Sequence, residues 1–292
     1  MIARIDHVVI AVRDLEEAIR RYQALGFAVS PGGRHTGLGT YNAIVRFGLD
    51  YLELISIYDE RELGARGLNG VSLAEFLRKQ EGGLVGYALA TADIEEDAAR
   101  FERTGLEAEG PFAMQRLRPD GRQLSWRLLV PGGTSWRRPW PFLIQWDAPD
   151  DVRLTWEQPG VHPNGARGVA GIAVAVRDLE YGIDLYQRQL GLKLDNRDET
   201  SHLVAQRASF HVGAFNIDLY APAGDGPVQQ VLDSEGEGPF ELALNSASLD
   251  HTNRFFSQHG IPMDPMQEPP ALALPINEAL GARVVFRERN AS

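Results

Sequence analysis

Apolar residues recur along the amino-terminal part of the chain with two periods, one typical of strands and one typical of helices. Residues 5–12 are rich in Val and Ile and predict a strand. Asp14 follows as a helix N-cap, and apolar residues three and four positions apart predict a helix from Leu15 to Leu25, ending at Gly26. Three further strands are predicted at residues 27–30, 41–47 and 51–57. The first module is therefore βαβββ.

The same order of elements recurs three more times. The clearest sign is Val174-Ala175-Val176-Arg177-Asp178-Leu179-Glu180, which repeats Ile10-Ala11-Val12-Arg13-Asp14-Leu15-Glu16 almost unchanged. Such self-similarity indicates duplication of a structural unit. Strands are predicted in the later modules at residues 84–90, 112–117, 124–130, 141–146, 168–176, 202–208, 214–220, 240–246 and 283–287. Helices are predicted there at residues 93–103, 179–190 and 250–258, with an extra helix at 72–81.

Four βαβββ modules predict an α+β protein of two glyoxalase-like half-barrels, because one module leaves a sheet face uncovered and must pair with another. We expect residues 1–150 to form the first half-barrel, with a ligand cleft. Residues 151–167, which contain several Pro and Gly, predict a linker. Residues 168–292 predict a second, degenerate half-barrel.

Charge and composition narrow the class of ligand. Lys and Arg number 29 against 40 Asp and Glu, so the net charge of −11 disfavours nucleic acid and anionic membranes and favours a small molecule. The chain contains no Cys, which excludes disulfides and thiolate sites and fits a cytoplasmic protein. No apolar run reaches the length of a membrane span. The sequence also lacks a dinucleotide fingerprint or Walker motif, so no nucleotide cofactor is expected.

Several motifs carry a family resemblance. Two of them are Asp6-His7-Val8-Val9-Ile10 and Tyr51-Leu52-Glu53-Leu54. With the module order, they resemble the vicinal oxygen chelate superfamily of glyoxalase I, bleomycin-resistance proteins and extradiol dioxygenases. The first half resembles its glyoxalase-like domain branch more closely. The motifs for this branch are Pro31-Gly32-Gly33-Arg34-His35, Tyr41-Asn42-Ala43, Arg118-Pro119-Asp120-Gly121, Trp126-Arg127-Leu128, Phe142-Leu143-Ile144-Gln145-Trp146 and His162-Pro163-Asn164.

The resemblance implies a divalent metal held by side chains from the first and last strands of each module. His7 and Glu53 match the first two ligand positions, and strand alternation turns both toward the cleft. Gly86 matches the third position but has no ligand atom, and Gln145 falls near the fourth. His7, Glu53 and Gln145 would suit one ion of Zn, Ni, Mn, Fe or Mg. The alternative is a hydrogen bond between His7 and Glu53 without any metal.

Other residues of the first half are candidates for substrate contact. His35, predicted in a glycine-rich loop, is a candidate general base or donor beside Glu53 and His7. Asn42 offers an amide to a carbonyl or carboxylate. Arg118 and Arg127 are candidates for neutralising an anionic substrate. Trp126 and Trp146 are candidates for an apolar wall of the cleft.

The second half offers less chemistry at the corresponding positions. These positions hold Gly171, Asp218 and Glu241, with no clear acid on the last strand. An extradiol dioxygenase would need two histidines and a carboxylate around iron there, and both histidines are missing. We expect this half to support the fold, cover the first cleft or form an interface.

Three classes of function remain open. The first is metal- or base-assisted proton transfer of lyase or isomerase type on a small, oxygen-rich molecule, with Glu53, His7 and His35 as the catalytic groups. The second is a non-catalytic protein that binds drugs or toxins, like the bleomycin-resistance proteins. The third is a structural or regulatory protein. The resemblance also implies homodimers.

Overall fold

The structure is a computed structural model that describes residues 1–35, 37–64, 70–118, 120–133, 136–267 and 270–288. Pro119, which belongs to one of the family motifs, lies outside the described residues. Among the described residues, no helix is both long and apolar enough to cross a bilayer.

The first half contains the two predicted modules in order. The strands of this half are β1 (Ile2–Val12), β2 (Val29–His35), β3 (Thr40–Arg46), β4 (Tyr51–Ile57), β5 (Gly82–Thr91), β6 (Ala108–Leu117), β7 (Gln123–Pro131) and β8 (Phe142–Trp146). The helices are α1 (Leu15–Ala24), α2 (Gly70–Lys79), α3 (Ile94–Thr104) and α4 (Asp150–Trp156), with a 3₁₀ turn at Glu60–Glu62. The predicted N-cap of α1 is confirmed, because Asp14 accepts a hydrogen bond from the Glu17 amide at 3.0 Å.

These strands close into a barrel in the order β1-β4-β3-β2-β6-β7-β8-β5. Strand β2 is longer than predicted and continues through Pro31-Gly32-Gly33 to His35. Its far end pairs with β6, Arg34 with Leu117 and His35 with Arg116. The glycine-rich segment predicted as a loop is therefore the strand that joins the two modules of the barrel.

The second half follows the same plan. The strands of this half are β9 (Ala166–Ala175), β10 (Leu194–Thr200), β11 (Ala205–Val212), β12 (Phe215–Pro222), β13 (Gly238–Ser246), β14 (Asp264–Gln267), β15 (Pro270–Ala273) and β16 (Val284–Glu288). The helices are α5 (Leu179–Asp184), which continues as a π-helical turn at Leu185–Gln189, α6 (Pro227–Ser234) and α7 (Leu249–Gln258). The sequence had not predicted α6, β10, β14 or β15.

The second sheet has the order β10-β11-β12-β9-β13-β16-β15-β14. In the described part of the chain β10 and β14 pair on one side only, so this sheet stays open. The α+β class and the pairing of modules into two curved sheets are confirmed. The predicted half-barrel of the first half is in fact a closed barrel.

Strand alternation sorts the first barrel into two faces. Val8, Ile10 and Val12 pack outward with α1 in the main hydrophobic core. Val9 and Ala11 face inward and contact a separate apolar cluster inside the barrel. The outer core is continuous with buried residues of the second half, so the two sheets pack against each other through their helix-covered faces.

The segment predicted as a linker contains α4, whose Arg153 is 1% exposed. Arg153 donates to Glu157 at 3.0 Å, and its guanidinium lies 3.6 Å from the Asp6 carboxylate. It also lies over the Trp146 ring, 3.8 Å from the centroid. Glu157 in turn accepts from Arg46 at 2.7 Å. This segment therefore packs a buried ionic network against the first barrel, while the division at residues 150 and 167 remains a prediction.

Candidate functional site

The inner face of the first barrel lines a cavity of about 720 Å³, a volume that includes space open to solvent. The lining has a polar part and an apolar part. The polar part includes His7, His35, Thr40, Glu53 and Arg116. The apolar part, mainly from β7 and β8, includes Trp126, Leu128, Phe142, Ile144 and Trp146.

Glu53 occupies the centre of the polar part. His7 Nε2 lies 3.4 Å from one carboxylate oxygen, and His35 Nε2 lies 3.5 Å from the other. Asn42 Nδ2 donates to Glu53 at 2.5 Å. Burial favours the neutral acid, but the two imidazoles, the Asn42 amide and the Arg116 guanidinium outweigh burial and lower the pKa of Glu53. Glu53 is therefore a carboxylate at neutral pH.

Asp6 orients His7 from the far side of the ring. Its Oδ1 lies 2.9 Å from His7 Nδ1, and because an ionised carboxylate only accepts, that nitrogen carries a proton. The second oxygen of Asp6 accepts from Trp146 Nε1 at 2.9 Å. Burial would raise the pKa of Asp6, but the His7 hydrogen bond and nearby cations hold it below its ordinary value. His7 is thus fixed with Nε2 toward Glu53.

Sequence reasoning missed Asp6 because strict alternation places neighbouring strand residues on opposite faces. The pairing of β1 with β5 shifts register between Ile5 and His7. A local irregularity of this kind turns side chains that would otherwise alternate. Asp6 and His7 can therefore contact each other inside the same buried region. The available signal in the sequence was that Asp6, which carries a carboxylate, is adjacent to His7.

His35 is not a loop residue, which corrects the prediction. It ends β2 and is buried, because β2 continues into its pairing with β6. His35 Nδ1 lies 2.9 Å from Thr40 Oγ1, and Asn42 Nδ2 lies 3.3 Å from Nε2. Burial, only partly opposed by Glu53, lowers the pKa of His35 to about 4. His35 is therefore a neutral imidazole at physiological pH.

Asn42 is also placed differently from the prediction. It donates to Glu53 and contacts His35 from β3. Asn42 is not among the described residues that line the cavity. Its amide therefore holds the carboxylate and imidazole in position and does not face a substrate.

Two arginines, Arg116 and Arg138, line the cavity, and sequence reasoning missed both. Arg116 is buried and lines the cavity on β6, two positions after Met114, which faces the same way. Its Nη2 lies 3.7 Å from Glu157, and its Nε has no hydrogen-bond partner among the described residues. Alternation along β6 was the available signal. A guanidinium group in the cavity wall suits an anionic ligand group.

The predicted arginines lie outside the cavity. Arg118 contacts Asp120 at 3.3 Å and the Trp156 carbonyl at 3.4 Å. Arg127 donates to Glu95 at 2.7 Å on the outer face of β7. Trp126, the residue before Arg127, lines the cavity, and so does Trp146, with 5.1 Å between the two ring centroids.

Gln145 faces away from the cavity, so its predicted place beside His7 and Glu53 is wrong. Gln145 Oε1 accepts from the Ile94 amide at 3.0 Å and from Arg127 at 2.7 Å, and its Nε2 donates to the Ala92 carbonyl at 2.8 Å. It therefore anchors the start of α3. Alternation explains the error, because Trp146 faces inward and the residue before it cannot.

The donor set does not fit the divalent metal that the resemblance implies. Among the described residues, no three His, Asp, Glu or Cys side chains are arranged to hold an ion. The residues of β8 that face the cavity are Phe142, Ile144 and Trp146, none of which ligates a metal ion. The cationic Arg116 lines the same polar part that a metal would enter. The geometry instead matches the metal-free alternative, in which His7 lies beside Glu53.

The sequence matches the family model described as a glyoxalase-like domain over residues 5–179. The match includes both modules of the first half, the segment that carries α4, and β9. A comparison with curated proteins finds no match.

Solved structures share the fold over the whole chain. A hypothetical protein from Staphylococcus aureus is 16% identical with a TM-score of 0.71, covering 99% of this chain and 100% of that chain. A triple mutant of 4-hydroxymandelate synthase from Streptomyces coelicolor is 13% identical with a TM-score of 0.71, covering 100% of this chain and 94% of that chain. These two similarities establish the fold alone, because both identities are low.

Proposed function

The chain belongs to the glyoxalase-like domain family, and on this basis we propose that its first barrel binds a small organic anion with an apolar body and transfers a proton to and from carbon. This is chemistry of lyase or isomerase type. The observation that carries the proposal is the ionised Glu53 between two imidazoles in a cavity with aromatic walls. The family resemblance seen in the sequence is confirmed.

The lining supports this class of substrate. The Arg116 guanidinium lines the cavity and offers a positive charge to a carboxylate or to the oxygen of an enolate. Trp126 and Trp146 offer apolar surface to the rest of the molecule. A 2-oxo acid with an aromatic ring has both features, an anionic end and an apolar body.

The proposed step is a balanced proton transfer. Glu53 takes a proton from the carbon next to the carbonyl, and the electron pair of that C–H bond moves into the enolate. The same proton, or one exchanged with water, then returns to carbon. His7 Nε2 lies near enough to Glu53 to share the proton. Asp6 keeps the His7 ring in the orientation that this requires.

Phenylpyruvate is a suitable probe because it carries an aromatic ring, a carboxylate and exchangeable benzylic protons. Binding is measured by quenching of tryptophan fluorescence, and proton transfer by loss of the benzylic proton signal in D₂O by NMR. We expect the wild-type protein to accelerate exchange and Glu53→Gln to lose at least about 100-fold of that rate, the usual contribution of a general base. Glu95→Gln, which changes an exposed carboxylate on the outer face, should exchange like wild type.

A second candidate function is binding without turnover. The observation in its favour is that the cavity walls from β7 and β8 present apolar side chains, which hold a ligand but move no proton. Quenching by phenylpyruvate without accelerated exchange would favour this candidate. Equal exchange by wild type and Glu53→Gln would overturn the assignment of Glu53 as the base. The homodimer implied by the resemblance stays a prediction.

A further inference from the structure

The concave face of the second sheet carries a groove of its own. The groove has a volume of about 1100 Å³, which includes space open to solvent. Its lining comes from β9 to β14, from the turn after β10, and from β16 with the preceding Arg283. None of the described residues lines both this groove and the barrel cavity. A ligand in the groove would therefore bind independently of the first half.

The groove lies at the position that the cavity has in the first half. Ala173 on β9 pairs with Asp218 on one side and with Glu241 on the other. In the first half Val9 occupies the corresponding place, between Glu53 and Gly86. The groove thus has a small residue at its floor with a carboxylate on each side, whereas the cavity has one carboxylate.

Asp218 is held with its oxygens in a fixed orientation. Ser209 Oγ donates to one oxygen at 2.5 Å, and Asn216 Nδ2 donates to the other at 2.5 Å. A carboxylate oxygen can accept two hydrogen bonds. Each oxygen of Asp218 therefore retains capacity for a hydroxyl group of a ligand.

The positive and negative groups that line the groove are equal in number. Two guanidinium groups donate to Glu241, Arg283 Nε at 2.8 Å and Arg287 Nη2 at 3.1 Å. A third, Arg207, donates to Asp198 at 2.8 Å. The lining thus holds three guanidinium groups and the carboxylates of Glu199, Asp218 and Glu241, while Asp198 lies outside it. The groove therefore offers many donors and acceptors without a strong preference for an ion.

Two aromatic rings complete the lining. Tyr220 and Phe240 pack edge to face, with 5.7 Å between their centroids. Rings beside planar amide, carboxylate and guanidinium groups match the surface of a saccharide, which has apolar C–H faces and a rim of hydroxyls. We infer that this groove is a second ligand site, which binds a neutral saccharide.

The test uses maltose, lactose and cellobiose with the full chain, and saturation-transfer difference NMR as the readout. We expect at least one of these sugars to receive saturation from the wild-type protein. Arg283→Ala should weaken this binding at least about tenfold, as expected for loss of a charged hydrogen-bond donor. Asn216→Ala provides a second variant with the same expected direction. Asn277→Ala, at an exposed position outside the groove, should bind like wild type.

Further arms separate this site from the barrel cavity and from simple charge attraction. Adding phenylpyruvate should leave the sugar signals unchanged, because the two lining sets do not overlap. The inference is overturned if none of the three sugars receives saturation, if Arg283→Ala and Asn216→Ala both bind like wild type, or if D-gluconate binds and the neutral sugars do not. Failure of phenylpyruvate to bind the cavity would leave these outcomes unaffected.

Discussion

The two halves of the chain share one order of modules, but their sheets differ in closure. The first sheet closes because β2 extends to His35 and pairs with β6. In the described part of the second half, β10 has β11 as its partner and the sheet stays open. The closed sheet encloses a cavity with an aromatic wall, whereas the open one carries a groove of paired charges. The short pairing of β2 with β6 is therefore the structural difference between the closed cavity of the first half and the open groove of the second.

The buried charge of Asp6 gives the largest expected difference between the halves. Asp6→Asn leaves Arg153 and Arg4 short of a carboxylate, and we expect a loss of about 3–5 kcal/mol, typical of breaking a buried ionic network. The pKa of Asp6 is lowered by folding, so its contribution is complete above the ordinary aspartate pKa and is lost as the pH falls through the lower folded value. Urea unfolding at neutral and acidic pH measures both effects.

Asp218→Asn in the second half is the matched comparison. Burial raises the pKa of Asp218, so its contribution has the opposite sign: it is present at acidic pH and lost as the pH rises through the folded value. The free-energy difference from wild type should therefore shrink on acidification for Asp6→Asn and grow for Asp218→Asn. The same pH slope for both variants would contradict this account of the two carboxylates.

Closure of the barrel can be broken at Gly33. Its φ of +137° disfavours other residues, and a Cβ there would collide with the Leu117 carbonyl of β6. We expect Gly33→Ala to lower the free energy of unfolding by about 2–4 kcal/mol, since backbone strain and steric overlap act together. Fluorescence should also shift toward that of solvent-exposed tryptophan, because Trp126 and Trp146 line the cavity.

Gly213 in the second half is the control for that substitution. Its φ is +63°, but a Cβ there would meet nothing within 4 Å. Gly213→Ala should therefore cost only about 1 kcal/mol, the strain of the left-handed backbone alone. Equal losses of unfolding free energy for the two variants would show that the Leu117 carbonyl of β6 does not restrict which side chain fits at residue 33.

The smallest effect is expected at Gln145. Gln145→Ala removes contacts with the start of α3 and with Arg127, so we expect about 1 kcal/mol of lost stability. Phenylpyruvate binding and exchange should stay within about twofold of wild type, because Gln145 does not line the cavity and twofold is less than 0.5 kcal/mol. A large loss of phenylpyruvate binding with unchanged stability would show that Gln145 belongs to the binding site.

Local chemistry explains why much of the fold could be predicted from the sequence. Asp14 and Asp178 both cap helices through the amide three residues on, and this needs only neighbouring residues. Alternation along each strand also predicted that His7 and Glu53 face the cleft. Trp126 and Arg127 are adjacent on a strand and cannot share a face, so alternation places only one of them in the cavity.

The positions of His35 and Asp6 could not be predicted because they depend on contacts with distant parts of the chain. The position of His35 follows from pairing with a strand of the other module, and a local sequence window contains no sign of it. Asp6 contacts His7 because the register of β1 against β5 shifts between Ile5 and His7. Both effects require knowledge of which strands meet, so alternation within one strand could not predict them.

The buried position of Arg153 bears on how the two sheets can move. A flexible tether would let the second sheet swing away from the first, but the stretch after β8 is anchored by an arginine beneath the barrel and by His162, which contacts the Arg46 carbonyl at 3.0 Å. Rotation about this stretch would have to pull a guanidinium out of the interior. The segment between the two sheets therefore restrains their relative motion, and a chain cut at residue 150 would lose the Arg153 guanidinium that lies beside Asp6, the residue that orients His7.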